Sequence, residues 1–160
     1  MAVESAQEEK QLVVFDLNTE AYGVDIGAVR EIIRLQDITK VPGTPEFVEG
    51  VINLRGKVTP VVDLRKKLNI TVAEQNAENR IVVMDIAGQD IGMVVDAVTE
   101  VLRISAGAVV PPSSVITSTS GQDYLMGIAK LDEKLIILLD LDKVLSLQEK
   151  QTLSEATLAA

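Results

Sequence analysis

Apolar and polar positions change over along this chain in short runs. Gln11–Leu17 (QLVVFDL) is mostly apolar, a polar turn follows at Asn18–Glu20, and Ala21–Asp25 is a second short run. Runs of this length bounded by turn residues predict strands. In Gly27–Arg34, Val29, Ile32 and Ile33 stand three and four apart, which predicts a short amphipathic helix. Pro42 and Pro45 then punctuate an extended crossing. Two β-branched runs come next, Val51–Leu54 and Lys57–Leu64, broken at Arg55-Gly56. Gly56 accepts a positive φ without steric cost, so a tight hairpin is expected there, with the five-donor Arg55 at its tip. Such an arginine is either a docking feature or only keeps the tip soluble. Lys66–Leu68 closes the unit, and the polar, acidic Thr71–Asn79 reads as a linker.

The pattern then starts again. Leu12-Val-Val-Phe-Asp16-Leu aligns with Ile81-Val-Val-Met-Asp85-Ile at an offset of 69, which also matches Gly23 to Gly92, Val29 to Val98 and Glu31 to Glu100. Further on, Gly50 matches Gly127, Leu54 matches Leu131 and Asp63 matches Asp140 at an offset of 77. Eight residues are therefore added between the two alignments, and the Pro-, Ser- and Thr-rich stretch Val109–Ser120 is the expected place. An internal duplication explains both offsets. Units of roughly 60 to 70 residues with many short strands suggest small barrels, too small to be stable alone, so two should share apolar surface. The expected division is 12–70, a linker 71–80, 81–147, and a helical tail within 148–160.

Composition narrows the function. The chain of 160 residues has a net charge of −9, no Cys, no His, no Trp, two Phe and two Tyr. An acidic surface is opposed to nucleic acid and to anionic membranes. Without Cys and His there is no disulfide, no thiolate chemistry, no imidazole base and no phosphohistidine relay. The first ten residues, MAVESAQEEK, lack a signal-peptide core, and no run reaches the roughly 20 apolar residues of a membrane helix. A soluble, cytoplasmic protein is expected. Asp16, Asp85 and Asp140 each end an apolar run, superficially like a phosphoacceptor strand. Their recurrence at equivalent positions fits turn initiation better, and no Gly-rich phosphate loop is present. No catalytic residue, cofactor or metal site is expected.

GVINLRGKVTPVVDLR (Gly50–Arg65) resembles the signature of the CheW domain family, the scaffold modules of bacterial chemotaxis arrays. YGVDIGAVREII before it, with IGMVVDAVTEVL and LMGIAKLDEKLIILLDLDKVL after it, extend the likeness from about Leu12 to Leu147. The resemblance implies a mainly β fold, two SH3-like five-stranded barrel lobes side by side. It leaves open the exchange of a terminal strand between lobes. It also implies a non-enzymatic adaptor that couples chemoreceptors to the histidine kinase CheA and is recruited to membrane arrays through these partners. The groove expected to take the receptor tip maps onto Val29, Ile32, Ile33, Gly50, Arg55, Gly56, Val95 and Val98. For the apolar members core packing is the competing reading, and for Gly50 a plain turn. A kinase-binding surface in the second lobe maps onto Val82, Val83, Met84, Ala87, Gly88 and Gln89. A related scaffold in a pilus or biofilm pathway would share these features. The second copy has Asp132-Glu133 where the first has Arg55-Gly56, so its tip has the opposite charge.

Overall fold

A computed structural model of the chain describes residues 9–111, 124–146 and 149–154. From 112 onward the expected insertion Val109–Ser120 lies outside these residues, as do 148 and 155–158 of the tail and most of the polar lead.

The first apolar runs form β1 (Glu9–Leu17) and β2 (Glu20–Asp25), followed by β3 (Val29–Arg34), β4 (Val48–Leu54) and β5 (Lys57–Asp63). The second copy gives β6 (Arg80–Ile86), β7 (Gln89–Val95), β8 (Ala97–Ser105), the short β9 (Val109–Val110), β10 (Leu125–Leu131) and β11 (Lys134–Leu139). Among the described residues helix is limited to short pieces, of which Leu64–Lys67 and Leu141–Val144 are each capped by an aspartate, Asp63 or Asp140. The β4–β5 and β6–β7 hairpins turn through Arg55-Gly56 and Ala87-Gly88, where both residues of each pair have positive φ. That geometry matches the right-handed twist of the flanking strands.

One expectation is corrected here. Gly27–Arg34 is not a helix: Ile26–Ala28 makes a single 3-10 turn and Val29–Arg34 is an edge strand against β6. A β-bulge between Val29 and Glu31 is the reason the spacing misleads. The extra residue puts Val29 and Ile32, three apart, on one face, while Glu31 and Ile33 face the other. Three-residue spacing on one face therefore comes from a kinked strand.

The sheets do not follow the division at 70 and 81. One runs β8-β1-β2-β11-β10-β9 and the other β3-β6-β7-β5-β4. Under the repeat alignment β1, β2, β8, β11 and β10 correspond to β6, β7, β3, β5 and β4, so both sheets have one topology. Each takes its opening hairpin from one copy and the remaining strands from the other. The chain is thus mainly β with two SH3-like lobes, one five-stranded and one six-stranded, whose hydrogen bonding stays open rather than closing a barrel.

Strand periodicity sorts the side chains into three apolar layers. Leu12 and Val14 enter a small core with Ile136 and Leu138, inside the six-stranded lobe. Ile81 and Val83 do the same with Ile52 and Val61 in the other lobe. The alternate residues, Val13, Phe15 and Leu17 from β1 and Val82, Met84 and Ile86 from β6, meet in one larger core between the lobes. Both strands are buried on both faces, which is why their sequences are apolar at consecutive positions.

The helix at 149–154 seals the shared core with Leu153, which is fully buried. Glu149 and Ser146 exchange a capping-box pair of bonds, and Lys67 Nζ donates to Glu149 Oε2 at 2.8 Å while lying 5.1 Å from the Phe47 ring centre. Burial alone would raise the Glu149 carboxyl, but Lys67 and Ser146 hold it below its ordinary value of 4.5. A depressed folded pKa means that this stabilisation is complete above 4.5 and is lost as pH falls through the lower folded value. The thermal midpoints of the wild type and Glu149→Gln should therefore differ at pH 7 and draw together as pH falls from 4.5 through the lower folded value. A gap that does not narrow as pH falls below 4.5 would show the carboxylate to be irrelevant.

Candidate functional site

β5 and β7 pair in parallel, with Val61 opposite Gly92. This register brings the Arg55-Gly56 and Ala87-Gly88 turns to one end of the five-stranded lobe. Charged side chains stitch that end together. Arg30 donates to Asp90 at 2.8 Å and to Asp85 at 3.1 Å, and Lys57 lies 3.6 Å from Asp90. The Arg55 guanidinium grips Glu31 of β3 through both of its terminal nitrogens, with Nη1 to Oε1 at 3.1 Å. These bonds raise the arginine above its ordinary pKa. Its side chain is still 72% exposed, so it is oriented but not hidden. An arginine fixed in this way presents its remaining donors to a partner with less ordering cost than a free one.

The bulge makes a ledge beside this end. Val29 packs half-buried on the shared core, and Ile32 on the same face of the edge strand is 39% exposed. Val98 and Val101 of β8 form the matching ledge in the other copy, behind an equivalent bulge opposite Val14 and Phe15, with Val101 52% exposed.

The residues named from sequence divide accordingly. Arg55, Gly56, Ile32, Ala87 and Gly88 are exposed, while Val29, Val98 and Gln89 are half-buried. Val82, Val83, Met84 and Val95 have no exposed surface, and β6 and β7 are hydrogen-bonded on both edges. These four are core, so they cannot touch a partner directly. Ile33 packs into the small core of its own lobe. Gly50 is buried with φ +142°, where its missing Cβ makes room for the Thr39 carbonyl. Strand exchange also moves the Ala87–Gln89 turn. It sits beside Arg55 in one sheet, not on a separate lobe. Glu31, Val101 and Met126 were missed; the offset of 69 applied to Ile32 leads to Val101 directly.

Sequence reading also missed Arg65. Its side chain is buried between the lobes, with Nε and Nη2 on Asp63 at 3.0 and 2.9 Å and Nη1 on Asp96 at 2.6 Å. Burial alone would push this guanidinium down, but the two aspartates raise it. Asp96 in turn bonds across the seam: its N–H donates to the Asp16 carbonyl and its carboxylate accepts from Asn18 N–H. Among the described residues no group of acidic side chains is arranged to hold a metal, and no helix is long and apolar enough to cross a membrane.

Residues 11–149 match the family model described as the CheW-like domain. The chain is 32% identical over 151 residues to the chemotaxis protein CheW of Treponema pallidum, covering 92% of this chain and 88% of that one. It is 36% identical over 140 residues to CheW of Thermotoga maritima, covering 88% and 90%. The crystal structure of the scaffolding protein TtCheW from Thermoanaerobacter tengcongensis superposes with a TM-score of 0.80 at 42% identity, covering 89% of this chain and 96% of that one.

Proposed function

This chain belongs to the CheW-like domain family, and from that membership we propose that it is a non-enzymatic adaptor coupling chemoreceptors to the histidine kinase CheA. The Glu31–Arg55 bridge is the observation that best supports a docking role at the tip. It locks a mostly exposed cation against the strand that carries the Val29–Ile32 ledge. A receptor helix needs both features, an apolar strip to bury and a polar anchor to fix its register. Arg55, Gly56, Val29 and Ile32 are therefore assigned to the receptor. The Ala87–Gln89 turn is assigned to the kinase regulatory domain. The two assigned surfaces adjoin on one end of one lobe, so a bound receptor lies within reach of a bound kinase. Recruitment to membrane-associated arrays follows from these partners. Individual contacts of about micromolar strength, near −8 kcal/mol, are sufficient once clustering raises the effective concentration.

Arg55→Ala tests the reading. It should weaken binding of a receptor cytoplasmic fragment by about tenfold, while the thermal midpoint and binding to the kinase regulatory domain stay unchanged. Unaltered receptor affinity in a calorimetric titration would remove Arg55 from the interface.

A further inference from the structure

The duplication allows the two seams between the lobes to be compared position by position. At one seam Arg65 fills the space between Asp63 and Asp96. At the other, Asp140 stands where the first copy has Asp63, but Asp142 replaces Arg65 and Gly27 replaces Asp96. Nothing from this chain fills the gap among the described residues. A groove of about 420 Å³ remains, its floor formed by Val24, Leu139 and Leu141 beside the exposed Met126. Its rim is acidic: Asp25, Asp85, Asp140 and Asp142 line it, with no basic residue among the described residues of the lining. Asp25 and Asp140 each use one oxygen to accept a nearby backbone N–H, and Asp85 is shared with Arg30 and Gly88 N–H. Among the described residues no donor reaches Asp142.

We propose that this groove receives an arginine side chain from a partner protein, held as the first copy holds its own Arg65. The first copy supplies the precedent: the aspartate equivalent to Asp140 accepts from Nε and Nη2 along one edge of a guanidinium, both within 3.0 Å. A guanidinium suits the place because its flat faces lie against apolar side chains while its edge donors meet carboxylates. The methylene stem and an apolar neighbour on the partner would cover Met126. The groove opens where the Ile26–Ala28 turn leads into β3. It borders the Arg55 tip through Asp85, which Arg30 and the Gly88 N–H share, but its argument rests on the second seam and does not depend on the adaptor reading.

The test uses the full chain with isotope-labelled amides and methionine methyls. The probe is acetyl-Leu-Arg-Leu-amide, compared with the same peptide carrying neutral citrulline. Saturable shifts at the Met126 methyl and the Gly27 and Asp142 amides are expected with arginine, at an affinity about tenfold above citrulline and weakened by salt. Asp142→Arg should fill the groove from within and abolish those shifts, and Asp142→Asn should weaken them severalfold. Equal binding of the two peptides, shifts confined to another face, or full binding by both variants would overturn the proposal.

Discussion

Arg65→Met should lower the unfolding free energy by about 3–5 kcal/mol, the usual result of breaking a buried ion pair from one side. Methionine matches much of the arginine stem, so the loss comes from charge and not from a void. Without the guanidinium, the Asp63 and Asp96 carboxylates remain in a seam that is nearly dry, with side chains only 4% and 13% exposed. The Asp96 carboxylate cannot turn toward water without losing the bond it accepts from Asn18 N–H, and Asp63 is tied to the Arg65 N–H. Urea denaturation at pH 7 measures the effect, and the thermal midpoint should fall by roughly 10 °C or more. A loss below about 1 kcal/mol would mean that the pair roughly balances its own desolvation and that the lobes are joined by apolar contact alone.

Gly50→Ala should be nearly as damaging, for a steric reason. A Cβ at this position would lie 2.1 Å from the Thr39 carbonyl oxygen, and the backbone is at φ +142°, which an L side chain rarely adopts. Thr39 cannot retreat, because its amide and carbonyl form a two-bond bridge with Val51 at 2.9 and 2.8 Å. Strain and overpacking of this kind each cost about 1–3 kcal/mol, so a loss of roughly 3 kcal/mol or more is expected. Gly127→Ala, the matching change in the second copy, meets Val110 oxygen at 2.7 Å and should cost less. Thermal melts of the two variants check both size and order. If Gly50→Ala kept its midpoint and lost only receptor affinity, Gly50 would be an interface residue rather than a backbone device.

The duplication and hairpins could be read from the chain because turn chemistry and run length are local signals. Arg55-Gly56 and the alternation around it are enough to fix the β4–β5 pair. Val29 to Arg34 was misread because a bulged strand and one turn of helix both place apolar side chains three residues apart. Strand exchange was hidden for a different reason. β1 and β6 share one apolar pattern, so that pattern does not specify which copy's later strands each will join. The kinase surface suffered from a related ambiguity, since IVVM at 81–84 reads equally as a sticky strand and as one buried on both faces. Burial in three layers decides for the second.

Reciprocal strand exchange also bears on how the polypeptide emerges from the ribosome. β1 pairs with β8, Leu12 opposite Leu102, so its edge stays empty until some ninety more residues have been made. At roughly 5–20 residues per second that is an interval of several seconds. During it the apolar hairpin β1–β2 has no sheet to join, and β3–β5 lacks the strands that complete its own. The five-stranded lobe, β3 to β7, is complete in sequence at Val95 and can close first, whereas the six-stranded lobe waits for β8 to β11 and is limited by long-range pairing. A chaperone that shields the opening forty residues would act on the one window in which this scaffold is prone to aggregate.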